Sequence, residues 1–333
     1  MPKKILILSD DIPGHFNQSL GIATLLETQF ECSVSTISIV YKLKPLRSVI
    51  TFMARHLCRA MTPFTARLII SFYQKIEANQ ADLIIAAGGN TAPLSAALRN
   101  ILSIPVVQLG SPRGLHPKLF NALVTVEKYF DHPANLVVDI TPNKYSPIMC
   151  RQASKSQNMQ EHLLFLIGGK GIGYSYQDHE WTALVKNICS LQKISDLPIT
   201  IVTSRRTDPK LEKKLQHELS NLPMIYSGWY HEGNINFNLA SLFGSADCIF
   251  VTEDSAMMIS ESISSGRPVT TLYPSHIKSP LRYKKHIQKY VDAGFISRES
   301  IGIFSCKEMS DSAERVHRHS ETLKKKLIAR IQW

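Results

Sequence analysis

Short runs of aliphatic and β-branched residues alternate along the chain with segments whose apolar positions recur every three or four residues, the pattern of parallel sheets wrapped by helices. In the first half the runs predict strands at Lys4–Leu8, Glu31–Ile39, Ala81–Ala86, Ile104–Leu109 and Ala122–Val126, with helices at Gln18–Thr28, about Leu46–Gln80 and Thr91–Leu102. In the second half strands are predicted at His162–Ile167, Pro198–Thr203, Met224–Tyr226, Ala246–Val251 and Pro268–Leu272. Helices fit Trp181–Gln192, Lys210–Leu222, Asn236–Gly244 and Ser255–Ser265. Cys150–His162 is polar and aperiodic and reads as a linker. Ser312–Trp333 places Val316, Leu323, Leu327 and Ile331 on one helical face suited to packing across the other domain. The expected division is 1–150, 160–311 and a closing helix 312–333, and the fold class is α/β with two doubly wound domains.

At 333 residues, 44% of them apolar, the chain suits two soluble domains. Met1–Lys4 leads into an apolar run of only four residues, and no window reaches the roughly 18 uninterrupted apolar residues of a membrane span. A cytoplasmic protein, peripheral on the cytosolic face of a membrane, is therefore expected. The six cysteines are scattered without a CxxC pair and read as reduced.

Charge changes the picture. The formal net charge is +11, and no Asp or Glu occurs from Cys32 to Ile76, where Arg47, Arg55, Arg59 and Arg67 interleave with Phe52 and other large apolar residues. That mixture fits an anionic membrane surface or a phosphate-rich ligand, and equally a pair of solvated basic helices. No nucleic-acid-binding signature accompanies it, so nucleic acid is not an expected partner.

In open α/β sheets ligands sit beyond the carboxyl ends of the strands. GGKGIGY after the His162–Ile167 strand offers backbone amides at Gly168 and Gly169 and the charge of Lys170 to an anion, or is a flexible turn; it is not a Walker loop. TSRRTDP follows the next strand and sets Ser204, Arg205 and Arg206 where guanidinium forks match a diphosphate, or is an exposed turn. In VTEDSAMMISESISSGRPV, Thr252 ends a strand, Asp254 or Ser255 caps the next helix, and Glu261 aligns with the helix mouth. There it can accept both hydroxyls of a ribose, or simply face solvent.

These second-half residues resemble the donor domain of GT-B glycosyltransferases, notably the lipid II-forming N-acetylglucosaminyltransferase, whose helix of form S…E-x-x-x-x-G-x-P is matched by Ser255, Glu261, Gly266 and Pro268. Over nearly its full length the chain is more similar still to the ELM-like family, through PGHFNQSLGIA, AAGGNTAP, VVQLGSPR, TSRRT and VTEDSAMMISE. The resemblance implies two Rossmann-like domains facing a cleft, the second binding a nucleotide-sugar donor and the first a glycan or lipid-linked acceptor. Transfer with inversion is then expected, with no cofactor and no metal, since no DxD or clustered ligand set is present. In that reading the loop SDDIPGHFNQ supplies the base from Asp10, Asp11 or His15, with Gly14, Asn17 and Gln18 beside it. Gly88, Gly89, Asn90 and Arg113 line the acceptor side. Asp11 as a turn cap and His15 as a partner of Asn17 remain open. A catalytically silent scaffold for membrane or protein partners and a nucleotide-sugar epimerase share the same fold.

Overall fold

The computed structural model describes residues 1–42, 49–50, 52, 61–74, 76, 78, 80–112, 114–234 and 237–333. It divides into two compact units, Met1–Lys144 with His319–Trp333, and Tyr145–Arg318. Each is built on a six-stranded sheet in which every pairing is parallel.

The first unit runs β1 (Lys3–Ser9), α1 (Pro13–Glu27), β2 (Cys32–Ser38), α2 (Pro63–Ser71), β3 (Leu83–Ala87), α3 (Ala92–Leu102), β4 (Val106–Leu109), β5 (Ala122–Thr125) and β6 (Asn135–Val137), in sheet order β2-β1-β3-β4-β5-β6. Side chains alternate across the sheet. Leu6, Leu8, Ile84 and Ala86 pack with Ala66, Ile69, Leu94 and Leu98 on one face, and Ile5, Ile7, Leu83 and Ile85 pack with Ile22 and Leu26 of α1 on the other.

The second unit runs α4 (Pro147–Ser156), β7 (His162–Ile167), α5 (Asp178–Ser195), β8 (Ile199–Thr203), α6 (Pro209–Leu219), β9 (Met224–Gly228), α7 (Leu239–Ser245), β10 (Ala246–Thr252), α8 (Ala256–Ser264), β11 (Val269–Tyr273), α9 (Leu281–Asp292), β12 (Ser297–Ser300) and the start of α10 (Ser312–Ile331). The order is β12-β11-β10-β7-β8-β9. Phe165 and Phe250 are direct partners across β7 and β10, their rings stacked at 4.8 Å. Leu323, Leu327 and Ile331 of α10 belong to the first unit's core.

Several elements depart from the sequence pattern. The first half of the segment read as a linker is helix: Ser146 caps α4 through Met149 N, Pro147 opens it, and buried Cys150 and Ser154 lie against Gly244 of α7, where a Cβ would overlap the Cys150 carbonyl. Small residues make that contact, so no apolar stripe announces it. The stretch predicted as one helix from about Leu46 to Gln80 is interrupted at Thr62, extended at φ −83°, whose side chain caps α2 ahead of Pro63. α9 carries a buried stripe of Tyr283, His286, Ile287 and Tyr290 at helical spacing, hidden among lysines and arginine. β6 and β12 are short edge strands with mixed polarity, ordered by pairing with β5 and β11.

Candidate functional site

Each sheet reverses its strand order once, and the crevice outside the carboxyl ends at such a reversal is where open α/β sheets take ligands. In the first unit the reversal lies between β1 and β3, in the second between β7 and β10.

Beyond β1, Pro13 stands at the start of α1 and holds Ile12 extended at φ −89°. The helix therefore begins at Pro13 instead of the predicted Gln18, and Gly14, His15, Asn17 and Gln18 all ride on its first turns. Asp11 takes a left-handed φ of 59° and its carboxylate accepts from Ser38 Oγ at 2.7 Å, so it closes the turn at the surface. Asp10 turns inward. One of its oxygens lies 3.0 Å from His15 Nδ1, and the other accepts from Asn90 Nδ2 at 2.8 Å. The Asp10 side chain is 4% exposed and the imidazole 30%. A carboxylate at Nδ1 selects the tautomer protonated there, which leaves Nε2 as an acceptor.

The loop after β3 is shaped around that ring. Gly88 has φ 84°, and a Cβ on it would overlap the His15 imidazole. Its carbonyl accepts from Thr91 Oγ1 (2.9 Å) and Gln108 Nε2 (3.0 Å), while Gln108 Oε1 accepts from Ser95 Oγ at 2.9 Å. Gln108 is completely buried in β4. It is a polar interruption of the run VVQL that the strand pattern passes over, and its hydrogen bonds fix Gly88 under His15. Gly89 and Asn90 are half-buried beside it, and Tyr41 Oη donates to the Asn90 carbonyl at 3.3 Å. Arg113 lies outside the described residues, as do Arg47, Arg55 and Arg59; Phe52 and Arg67 are exposed.

At the second reversal the loop after β7 is wedged between two others. A Cβ on Gly168 would fall on the Asp254 carboxylate, one on Gly169 on the Arg206 carbonyl, and one on Gly171 on the Asp254 carbonyl. The Gly168 amide donates to Thr252 Oγ1 at 2.7 Å, whose hydroxyl donates to Asp254 Oδ1 at 2.7 Å. Arg206 Nη1 stands 3.6 Å from Asp254 Oδ2. Asp254 is wholly buried, and burial raises its carboxyl above the ordinary 3.8 although Thr252 and Arg206 pull the other way. Thr252 and Asp254 therefore act on the glycine loop from inside the fold.

The helix-capping residue is Ser255, whose Oγ accepts from Met258 N at 3.4 Å. Glu261 is half-buried about 9 Å along α8 from Ser255. The Tyr145 phenol is pushed up by burial first and by the charge of Glu261 second. The hydroxyls of Thr203 and Thr207 are structural. Thr203 donates to buried Glu212 (2.5 Å) and Thr207 to the Ile167 carbonyl (2.9 Å). Ser204 Oγ accepts from Arg206 N at 3.2 Å, and Arg205 is exposed. Glu253, beside Asp254 in the motif, is fully buried and gripped by Arg298 at 2.7 and 3.0 Å, a pair that anchors this loop to β12. Nothing in the sequence pattern linked those two residues. Among the described residues no group of three or more His, Cys, Asp or Glu could hold a metal ion, and no helix is long and apolar enough to cross a membrane.

The profile of a family described as Mitochondrial fission ELM1 matches residues 13–321. The chain belongs to this family. An uncharacterized member of the curated proteins, from Rickettsia prowazekii (strain Madrid E), is 24% identical over 331 residues, covering 86% of this chain and 88% of its own. Among solved structures, the UDP-GlcNAc 2-epimerase of Methanocaldococcus jannaschii aligns with a TM-score of 0.50 at 12% identity, over 96% of this chain and 92% of that one. The glycosyltransferase SnogD of Streptomyces nogalater aligns at 0.48 and 11% identity over 99% of both chains. The E. coli heptosyltransferase WaaC, solved with ADP-2-deoxy-2-fluoro heptose, aligns at 0.46 and 10% over 96% and 99%. What the chain shares with the epimerase at 12% identity is the fold, two doubly wound domains each built on a parallel sheet.

Proposed function

We propose that the chain transfers a sugar from a nucleotide-sugar donor to a hydroxyl of a lipid-linked or cell-envelope glycan acceptor. The observation that supports this reading is the His15 imidazole, held through Nδ1 by Asp10, itself held by Asn90, with Nε2 directed away from both at the strand reversal of the first sheet. Nε2 takes the proton of the acceptor hydroxyl as its oxygen bonds to the anomeric carbon and the bond from that carbon to the diphosphate oxygen breaks. Asp10 stabilises the imidazolium so formed. With a base and no covalent nucleophile, the configuration inverts.

The departing nucleoside diphosphate carries away negative charge. Lys170, Arg205, Arg206 and the amino end of α8 meet it, and Glu261 accepts from the ribose hydroxyls. Phe52, 64% exposed, Phe64, 78% exposed, and Arg67 on the acidic-free segment rest on an anionic bilayer and bring the enzyme to its acceptor from the cytosolic side.

A panel of nucleotide sugars tested by thermal shift identifies the donor, since occupancy at a hundredfold excess over Kd stabilises the fold by about 2.7 kcal/mol. The expected result is one nucleotide sugar that raises the melting temperature equally in the wild type and in His15→Ala, with turnover lost only in the variant. No shift with any member of the panel, or undiminished turnover in His15→Ala, overturns the reading.

A further inference from the structure

Two thiols that lie far apart in the chain meet on β10. Cys248 stands near the start of that strand and is completely buried, whereas Cys306, on the segment between β12 and α10, is exposed. The segment crosses β10 in a defined register. Phe304 is buried and lays its ring on Phe250 with 5.1 Å between centroids. Two residues further on, Cys306 Sγ donates to Asp247 Oδ2 at 3.6 Å. Cys248 and Phe250 are two apart on one strand and face the same side, so Cys306 comes to Cys248 as Phe304 comes to Phe250. The pairing of β10 with β7 shifts between Ala246 and Cys248, and Asp247 is the extra residue of that bulge, which re-aims its carboxylate toward the crossing segment. The Cys248 thiol is pushed above its ordinary range by its hydrogen bond with Cys306 first and by burial second.

The exposed thiol is also held from both sides. Glu299 of β12 accepts from Ser305 N at 2.7 Å through Oε2, and its Oε1 lies 3.2 Å from Lys307 Nζ. One carboxylate thus fixes the residue before Cys306 and the residue after it, and the two sulfurs are kept together without any search by the loop. Their exposures divide the chemistry between them. Small oxidants reach Cys306 directly, while Cys248 is closed to solvent and has Cys306 as its neighbour.

We infer that Cys306 is an oxidation site and that Cys248 resolves it as an intramolecular disulfide. Hydrogen peroxide gives one oxygen to the Cys306 sulfur, which becomes a sulfenic acid as the first water leaves. The Cys248 sulfur then attacks the Cys306 sulfur: the S–S bond forms, the S–OH bond breaks, and the hydroxyl departs with the Cys248 proton as the second water. The two thiols together lose two electrons, and the peroxide takes them up. The link ties the segment ahead of α10 to β10 and closes a long loop that contains β11, α9 and β12. It uses none of the residues assigned to sugar transfer and stands without that reading.

The test treats the full chain with hydrogen peroxide, blocks the remaining thiols with N-ethylmaleimide and maps linked peptides by mass spectrometry without reduction, in the wild type, Cys306→Ser and Cys248→Ala. The expected wild-type product is a Cys248–Cys306 link that dithiothreitol undoes and that raises the melting temperature by roughly 5 °C. In Cys306→Ser, Cys248 stays a thiol at the same dose; in Cys248→Ala, Cys306 is trapped by dimedone as the sulfenic acid. Cys306→Ser changes an exposed position and folds, so it carries the test even where the buried Cys248→Ala does not fold. The inference is overturned by a wild-type Cys306 that stays a thiol, stops at the sulfenic or sulfinic acid, links to a different cysteine or joins two chains, and equally by oxidation of Cys248 that persists in Cys306→Ser.

Discussion

Asp10 and Asp254 occupy equivalent places in their sheets, each just past a strand that borders the reversal of strand order, yet they are used in opposite ways. Asp10 has both oxygens paired, and one of its partners is a partly exposed imidazole whose Nε2 is turned away from it. Asp254 is sealed in, hydrogen-bonded to Thr252 and under a glycine loop, with Arg206 reaching its second oxygen at 3.6 Å. The first carboxylate tunes a group that faces outward, and the second props a loop that carries the outward-facing groups. The lesson is that position in the topology brings a polar residue to a site, while the group it holds, a partly exposed imidazole or a buried loop, decides whether it acts on a ligand or on the scaffold.

The largest effect expected from this contrast is on turnover. His15→Ala should lower kcat by about 100- to 10,000-fold, the range for a lost general base, and leave the melting temperature close to wild type. Asp10→Asn, which removes the selection of tautomer, should reduce kcat comparably; an Asp10→Asn enzyme with full activity would break the assignment of roles. Next, Gly168→Ala should destabilise the second unit by about 2 kcal/mol in denaturant titrations, because its Cβ falls on the Asp254 carboxylate and the loop has no room to retreat. A neutral Gly168→Ala would show that the loop is loose.

A smaller effect concerns pH. The folded Asp254 carboxyl has a pKa above its ordinary 3.8, so between those values the native state binds the extra proton and stability falls as pH rises. Asp254→Asn removes that penalty and keeps the acceptor for Thr252. Its denaturation midpoint should therefore exceed wild type at pH 7 and vary less as the pH rises from the acid side. A variant weaker than wild type at pH 7 would mean that attraction to Arg206 outweighs burial. The smallest structural effect is at Arg205: Arg205→Ala should leave the melting temperature unchanged while weakening nucleotide binding, whereas a drop in stability would make this exposed arginine part of the scaffold.

Much of this was readable in advance. Among the described residues most strands announce themselves as aliphatic runs because parallel strands buried on both faces must be continuously apolar, and the edge strand β2, CSVSTIS, shows instead as an alternation. The loops SDDIPGH, GGN, GGKG, TSRRT and TEDS stand out because glycine, proline and charged residues directly after such runs have no role in a core. The elements that escaped share a physical reason. β12 reads SRES, with no apolar signal, and is a strand only because β11 offers it a ladder and Glu253 accepts its arginine. α4 packs through Cys150 and Ser154 onto Gly244, and small side chains leave no periodic trace. Gln108 was invisible because one amide in a strand looks like noise until its partners, Gly88 and Ser95, arrive from other elements.

What the amino-acid order determines unaided is the alternation of strand and helix, the parallel sheets, and the clustering of chemically useful residues at strand ends, since these follow from local periodicity and turn chemistry. Only the tertiary structure decided that Asp10 orients His15 while Asp254 supports Gly168, and that Cys306 is held beside Cys248. Those outcomes depend on which loops are pressed together and how much water is left between them, and no stretch of chain carries that information by itself.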